Sequence, residues 1–216
     1  MDDGSGVKAA EASNARPTAH DATTDAIRHS YKAFPYDSRP CPTSTPARIA
    51  TVARLLGVEA PDPARARVLE IACSDGGNLV PMACATPGGR FVGIDLASEA
   101  VEVARGMARD LGVGNLTLID GDLRNLPSDL GPFDYIVAHG FHSWVPPEVR
   151  VAMFDTMRTN LAPDGIAFVS HNVMPGCALR GIPWSAVRPQ VMDIEDPARR
   201  IAEARAVAGR MATTMS

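Results

Sequence analysis

Short apolar runs alternate with longer amphipathic stretches along the middle of the chain. Val68 to Ile71, Arg90 to Ile94, Leu116 to Ile119, Phe133 to Ala138 and Ile166 to Ser170 read as buried strands. Between them lie helical patterns. One begins with the apolar positions Leu79, Val80 and Met82. A second is N-capped by Ser98, carries Glu99 and Glu102 in its first turns and runs to about Leu111. A third opens at Pro146-Pro147, with Val149, Met153, Met157 and Leu161 as its buried stripe. Ahead of the first strand, Pro46 to Leu56 reads as an amphipathic helix with Ile49, Val52, Ala53 and Leu56 on one face and Gly57 as its stop. Turns are marked by Pro61-Asp62-Pro63, Pro87-Gly88-Gly89, Gly131-Pro132 and Pro163-Asp164-Gly165. This alternation predicts an α/β fold, a parallel sheet with helices on both faces and right-handed crossovers. After Ser170 the pattern leaves a loop and one more helix, Pro197 to about Met211.

The flanks differ in character. Residues 1–22 are Ala, Ser, Gly and charge without periodicity, as expected of a disordered tail. Residues 23–60 form an N-terminal segment: a short helix over Thr24 to Tyr31, then a Pro-rich stretch to Pro46, then the first amphipathic helix. The Pro-rich stretch is barred from helix and central strand, so it lies extended over something. It is either a surface wrap or a lid over a ligand, with the hydroxyls of Tyr31 and Tyr36 on offer. Residues 61–180 make the core and 181–216 a helical extension.

In such a sheet, ligands bind at the carboxyl ends of the strands, near the point where strand order reverses. The chemically suggestive residues fall there. The first strand ends in Glu70-Ile71 and a small-residue turn, Ala72-Cys73-Ser74-Asp75-Gly76-Gly77, before Asn78 and the next helix. Small residues let backbone N–H groups approach a ligand closely. Asp95 ends the second strand, where an acid can hold ribose hydroxyls. Gly121-Asp122-Leu123 follow the third, His139 to Trp144 the fourth, and His171 to Gly176 the fifth.

Composition narrows the classes. With 216 residues, one domain and some flanking chain are expected. A net charge of −4 gives no reason to expect nucleic acid as the main partner. No apolar run is long enough to span a bilayer, and no signal-peptide core is present. Cys41, Cys73, Cys84 and Cys177 form no C-x-x-C pair and show no zinc-like spacing to histidine, so they read as reduced thiols in a cytoplasmic protein, with no metal site.

The order of these motifs resembles that of the class I S-adenosylmethionine-dependent methyltransferases: an acid and a small-residue turn after the first strand, an acid after the second, Gly-Asp-Leu after the third. Phe133-Asp-Tyr-Ile-Val-Ala-His-Gly140 and Ser143-Trp-Val-Pro-Pro-Glu-Val149 narrow it further. They resemble bacterial methyltransferases with a C-terminal methyltransferase regulatory domain, a group that includes protein-lysine methyltransferases of rickettsiae. The resemblance covers about Tyr31 to Val207. It implies a Rossmann-like three-layer sandwich with S-adenosylmethionine as cofactor and S-adenosylhomocysteine as product. It places Glu70, Ala72, Cys73, Ser74, Gly76 and Asn78 around the cofactor's methionine part. Asp95 would take the ribose hydroxyls, Leu96 would lie near the adenine, and Asp122 would bind the adenine amino group with Leu123 flanking the ring. His139, Gly140 and Phe141 would sit under the sulfonium. Tyr31, Tyr36, Trp144 and Asn172 are candidates for the acceptor side.

The departures from the family pattern are specific. Ala72 stands where Gly is usual and Ser74 where Gly or Ala is usual, and Thr45 replaces the His of a Ser-His-Pro segment. His142, His171, Met174 and Cys177 stand where relatives tend to carry aromatics. His142, His139 and His171 are candidate bases, each weighed against a structural or cofactor-packing role. Trp144 is either a packing anchor or a substrate platform, and Arg199, Arg200, Arg205 and Arg210 read as a solvated helix face. Asp75 reads as a helix N-cap. The two antiparallel strands that usually finish such sheets have no counterpart here, so the fifth strand is expected to be an apolar edge. A second copy or partner chain would cover it, or the sequence continues beyond what is given. The expected activity is methyl transfer to a small-molecule or peptide acceptor. The alternative is a cofactor-binding partner or regulatory subunit without catalysis. A nicotinamide-dependent dehydrogenase is disfavoured because G-x-G-x-x-G spacing is absent.

Overall fold

The computed structural model describes residues 38–127 and 130–214, without the side chains of 180 and 214. The expected Thr24 to Tyr31 helix, Tyr31 and Tyr36 lie outside the described residues. Five strands form one sheet: β1 (Arg67–Ile71), β2 (Arg90–Asp95), β3 (Leu116–Asp120), β4 (Phe133–Ala138) and β5 (Leu161–Val169). Their spatial order is β3-β2-β1-β4-β5, and every pairing is parallel. Strand order therefore reverses between β1 and β4, which marks where a ligand crevice opens.

Helices cover both faces because the strands are apolar on both. On one face, Ile49 and Ala50 of α1 (Pro46–Leu55) and Leu79 and Met82 of α2 (Leu79–Ala85) pack on Val68, Phe91, Tyr135 and Val137. On the other, Met153 and Met157 of α4 (Pro147–Asn160) pack on Leu69, Ile71, Ile136 and Ala138. Helix α3 (Ser98–Asp110) buries Val101, Ala104 and Ala108. At the amino ends of the strands, Arg67 holds the Asp134 carboxylate in a two-pronged ion pair at 2.7 and 3.0 Å, fixing β1 against β4.

Several local expectations are corrected. Helix α1 buries Ile49, Ala50 and Ala53, while Val52 and Leu56 are exposed, so the buried stripe is rotated from the one the apolar spacing suggests. Ser98 is the first residue of α3 rather than its cap; the Ala97 N–H is taken instead by Asp95 Oδ1 at 2.8 Å. Leu161 ends the α4 stripe but already pairs with Phe133, and Ile166 pairs with Tyr135. The Pro163-Asp164-Gly165 turn is thus a bulge within a longer β5. The stretch read as loop after Ser170 contains α5 (Gly176–Val191), which pairs with α6 (Pro197–Thr214) through Val187, Val191 and Val207. Pro183 and Pro189 inside α5 hid its helical pattern. Among the described residues no antiparallel strand follows, and β5 forms an edge with Ala167 exposed.

Candidate functional site

Three elements meet at the carboxyl ends of β1, β2 and β4. The turn after β1 is held in a conformation that L-residues avoid: Ala72 has φ 59° and Ser74 has φ 50°. Both lie in the left-handed region where glycine is at ease, so each stores strain of about 1 kcal/mol. What holds the turn is Asp95. Its Oδ2 accepts the Ser74 N–H at 2.8 Å while Oδ1 accepts Ala97 N–H, so one carboxylate ties the turn to the start of α3. Burial raises its pKa, against the lowering effect of the backbone N–H bonds from Ala97, Ser74 and Leu96. Ser74→Gly is expected to stabilise the fold by about 0.5–1 kcal/mol, relief of strain outweighing the added chain entropy of glycine. Thermal denaturation reads this directly, and a lower melting temperature would show that Ser74 earns its place through its side chain.

Gly76 is required twice over. Its φ is 77°, and a Cβ would lie 2.8 Å from both Ala104 Cβ and Val80 Cγ2. The Cys73 side chain turns into the core beside Leu79, burial raises its thiol pKa, and its N–H is spent on Ile94 O. Neither the Cys73 thiol nor its N–H is turned toward the cleft. Asp75 is not the cap of α2, whose first residue follows Asn78. It accepts the Gly77 N–H at 3.1 Å and is hydrogen-bonded by Ser38.

Ser38 belongs to a strap that the sequence did not single out residue by residue. Residues 38–45 cross the turn. Ser38 Oγ accepts the Gly77 N–H at 2.9 Å, Asn78 Oδ1 accepts Cys41 N–H at 2.7 Å, and Asn78 Nδ2 donates to Ser44 Oγ at 3.1 Å and to Glu70 Oε1 at 2.5 Å. Glu70 and Asn78 are both buried. The second Glu70 oxygen, Oε2, is buried with no partner among the described residues. Burial pushes the Glu70 pKa up to about 7, with the Asn78 bond opposing and Asp95 adding to the rise. A Cβ on Gly77 would meet Ser38 O at 2.5 Å, and because Ser38 is on the strap, Gly77→Ala is expected to unseat the strap. Faster hydrogen exchange at the Cys41 and Ser44 amides, with little change in melting temperature, is the expected readout.

Beyond Asp95, a mainly apolar cleft runs between Leu96, Leu123, Phe141 and Val149, with Asp122 and Arg124 along one side. The Asp122 carboxylate is gripped by the Arg124 guanidinium and also accepts the Arg124 N–H at 2.9 Å. Arg124 is a member of the site that no sequence signal marked.

On the β4–β5 side, Ser170 Oγ accepts the Gly140 N–H at 2.7 Å and Ser143 Oγ accepts the Asn172 N–H at 2.8 Å, joining the two loops. His142 and His171 come together, ring centroids 5.6 Å apart, with Phe154 5.8 Å from His142. His139 is separate from that pair. It is exposed, stands 6.3 Å from the Phe168 ring, and its Nδ1 lies 3.8 Å from Cys41 Sγ. Trp144 is 70% exposed, which removes its role as a packing anchor within this chain. Among the described residues no group of three metal-ligating side chains exists, and no helix is long and apolar enough to cross a membrane.

Residues 68–165 match the family model described as a methyltransferase domain. The uncharacterized protein RP789 of Rickettsia prowazekii is 36% identical over 76% of this chain and 29% of its own length. A second, RP028 of the same organism, is 34% identical over 65% of this chain and 58% of its own. Among solved structures, PKMT2 from Rickettsia typhi in complex with AdoHcy superposes with a TM-score of 0.74 at 28% identity, covering 84% of this chain and 35% of that one. The chain thus spans less than two thirds of the length of each of these relatives.

Proposed function

We infer that this chain, whose residues 68–165 match a methyltransferase domain, is a class I S-adenosylmethionine-dependent methyltransferase that binds its cofactor across the ends of β1, β2 and β4 and transfers the methyl group to a small-molecule or peptide acceptor. The observation that carries this is Asp95, locked by the Ser74 and Ala97 N–H groups at the boundary between the strained turn and the apolar cleft. The backbone bonds from Ser74, Ala97 and Leu96 leave the carboxylate lone-pair capacity for a ribose hydroxyl. The cleft between Leu96, Leu123 and Phe141 suits a flat apolar ring, with Asp122 at its side to accept an exocyclic amine. The turn and strap enclose the amino-acid end of the cofactor beside Glu70.

The bound cofactor supplies an electrophilic methyl on a sulfonium. The chain has to place an acceptor atom about 3 Å from it and remove a proton where the acceptor carries one. The His142–His171 pair is assigned to the acceptor side, on the loops that also carry the exposed Trp144, Val173 and Met174. His142, half-buried against Phe154, is the residue we assign as base. His142→Ala is expected to lower turnover about 100-fold with cofactor affinity unchanged, read as S-adenosylhomocysteine release with the identified acceptor. An unchanged rate would reduce His142 to a wall of the site. Calorimetric titration with S-adenosylmethionine and S-adenosylhomocysteine tests the reading as a whole: micromolar binding of both is expected, and failure of both would refute it. Binding without turnover on any acceptor would favour the non-catalytic subunit.

Two further points are proposals. A second copy of the chain covers the β5 edge, an apolar strand with unpaired backbone groups; a monodisperse monomer by light scattering would contradict this. Cytoplasmic residence is supported by four cysteines, all unpaired, at positions 41, 73, 84 and 177.

A further inference from the structure

We propose that Glu70 is a proton-linked sensor of the cofactor's ammonium group: binding at the turn drives the proton off the buried carboxyl into solvent, so that occupancy of the site is coupled to pH. The proposal rests on the cofactor reading above. It stands first on geometry. Glu70 is 3% exposed, and among the described residues its Oε1 accepts one neutral donor, Asn78 Nδ2. Its Oε2 has no partner among the described residues. A charged carboxylate in that setting is poorly compensated, since a buried ion needs an opposite charge or several hydrogen bonds.

Among the described residues the surroundings of Glu70 supply no cation to offset its charge. Asp95 at the end of β2 opposes ionisation of Glu70. The turn contributes Asp75 and the buried Cys73 thiol, both acidic groups. The strap contributes Ser44 and the Cys41 amide, both neutral, while its Arg39 is exposed, and at the end of β4 the exposed His139 stands beside the Cys41 thiol and the Phe168 ring. Helix α2 carries no charged residue, and Arg48 and Arg54 of α1 are exposed. Without an opposing charge, Glu70 stays largely protonated up to near-neutral pH, in keeping with the pKa of about 7 that burial produces. A cation arriving at the turn, in a low-dielectric surrounding, reverses the balance. Only the carboxyl O–H bond breaks, and the proton leaves to buffer.

The test is calorimetric titration of the whole chain between about pH 6 and pH 8, each pH in two buffers of different ionisation enthalpy. S-adenosylmethionine is expected to release roughly one proton at about pH 6 and little at about pH 8, with affinity rising roughly tenfold per pH unit below 7 and then levelling. The ligand's own α-amine, with a pKa near about 7.8, stays protonated at the acidic end, so the released proton there is the protein's. 5′-Methylthioadenosine, which has no ammonium group, is expected to bind without releasing a proton. Glu70→Gln is expected to bind S-adenosylmethionine with no proton release and with a flat affinity profile below about pH 7, where the ligand's amine stays protonated. Proton release that persists in Glu70→Gln, or is equal with 5′-methylthioadenosine, or is absent in the wild type, overturns the proposal. If the variant does not fold, the contrast between the two ligands on the wild type decides. Failure of every ligand to bind would instead refute the cofactor reading.

Discussion

Asp95→Ala is expected to weaken S-adenosylmethionine binding at least roughly 100-fold, the largest effect of any single substitution in the site. Hydrogen bonds from hydroxyls to a charged acceptor contribute about 1.5–3 kcal/mol each, and two are lost with the ribose. The same carboxylate holds Ser74 N–H and Ala97 N–H at 2.8 Å. Its loss frees a turn whose Ala72 and Ser74 have no intrinsic reason to stay at positive φ, so part of the effect is loss of preorganisation. Losing the backbone bonds from Ser74, Ala97 and Leu96 also costs about 1–2 kcal/mol of stability, as loss of a cap does. Asp95→Asn, which keeps the shape, separates the contributions: its fold should survive nearly intact while binding still falls. Calorimetry on both variants is the check. An affinity for Asp95→Ala within about threefold of wild type would mean that the ribose is held elsewhere.

Glu70→Gln is expected to stabilise the cofactor-free protein at pH 8 and leave it unchanged near pH 4.5. The sign follows from proton binding. In the folded chain burial raises the Glu70 pKa from 4.5 to about 7. Between those values the folded state keeps a proton that the unfolded state has lost, so stability falls as pH rises and levels above 7. A rise of that size corresponds to roughly 3 kcal/mol, taken as an upper bound for so buried a group. Glutamine mimics the protonated form, donates or accepts at the same positions, and removes the titration. Chemical denaturation at several pH values should show the wild-type curve declining from pH 4.5 to 7 and the variant curve flatter. Asp95, whose pKa burial also raises, leaves a smaller slope of the same sign in both. Parallel curves for the two proteins would show that Glu70 is charged in the folded state.

What could be read from the chain depended on whether the signal was local. Strand and helix alternation, the small-residue turn from Ala72 to Gly77 and the acids Asp95 and Asp122 are visible because each lies within one strand–turn–helix unit. Local patterning also misled. Val52 and Leu56 fit a helical stripe equally well, yet the face of α1 that meets β1 and β4 is the one carrying Ile49, Ala50 and Ala53. In α5 the two prolines outweighed a Val187–Val191 spacing that only α6 completes.

The sequence by itself determined the sheet, its parallel sense and the end at which a ligand site must lie, because periodicity and crossover handedness dictate those. Only the tertiary structure decided the rest of the site. The Ser38–Ser44 strap meets Gly77 and Asn78 across more than thirty residues. His142 and His171 become neighbours only once β4 and β5 are paired. The solitary oxygen of Glu70 is the sharpest case. Nothing in Val68-Leu69-Glu70-Ile71 reveals that strap, turn and Asn78 will close over it, since burial is a property of everything that packs around a residue.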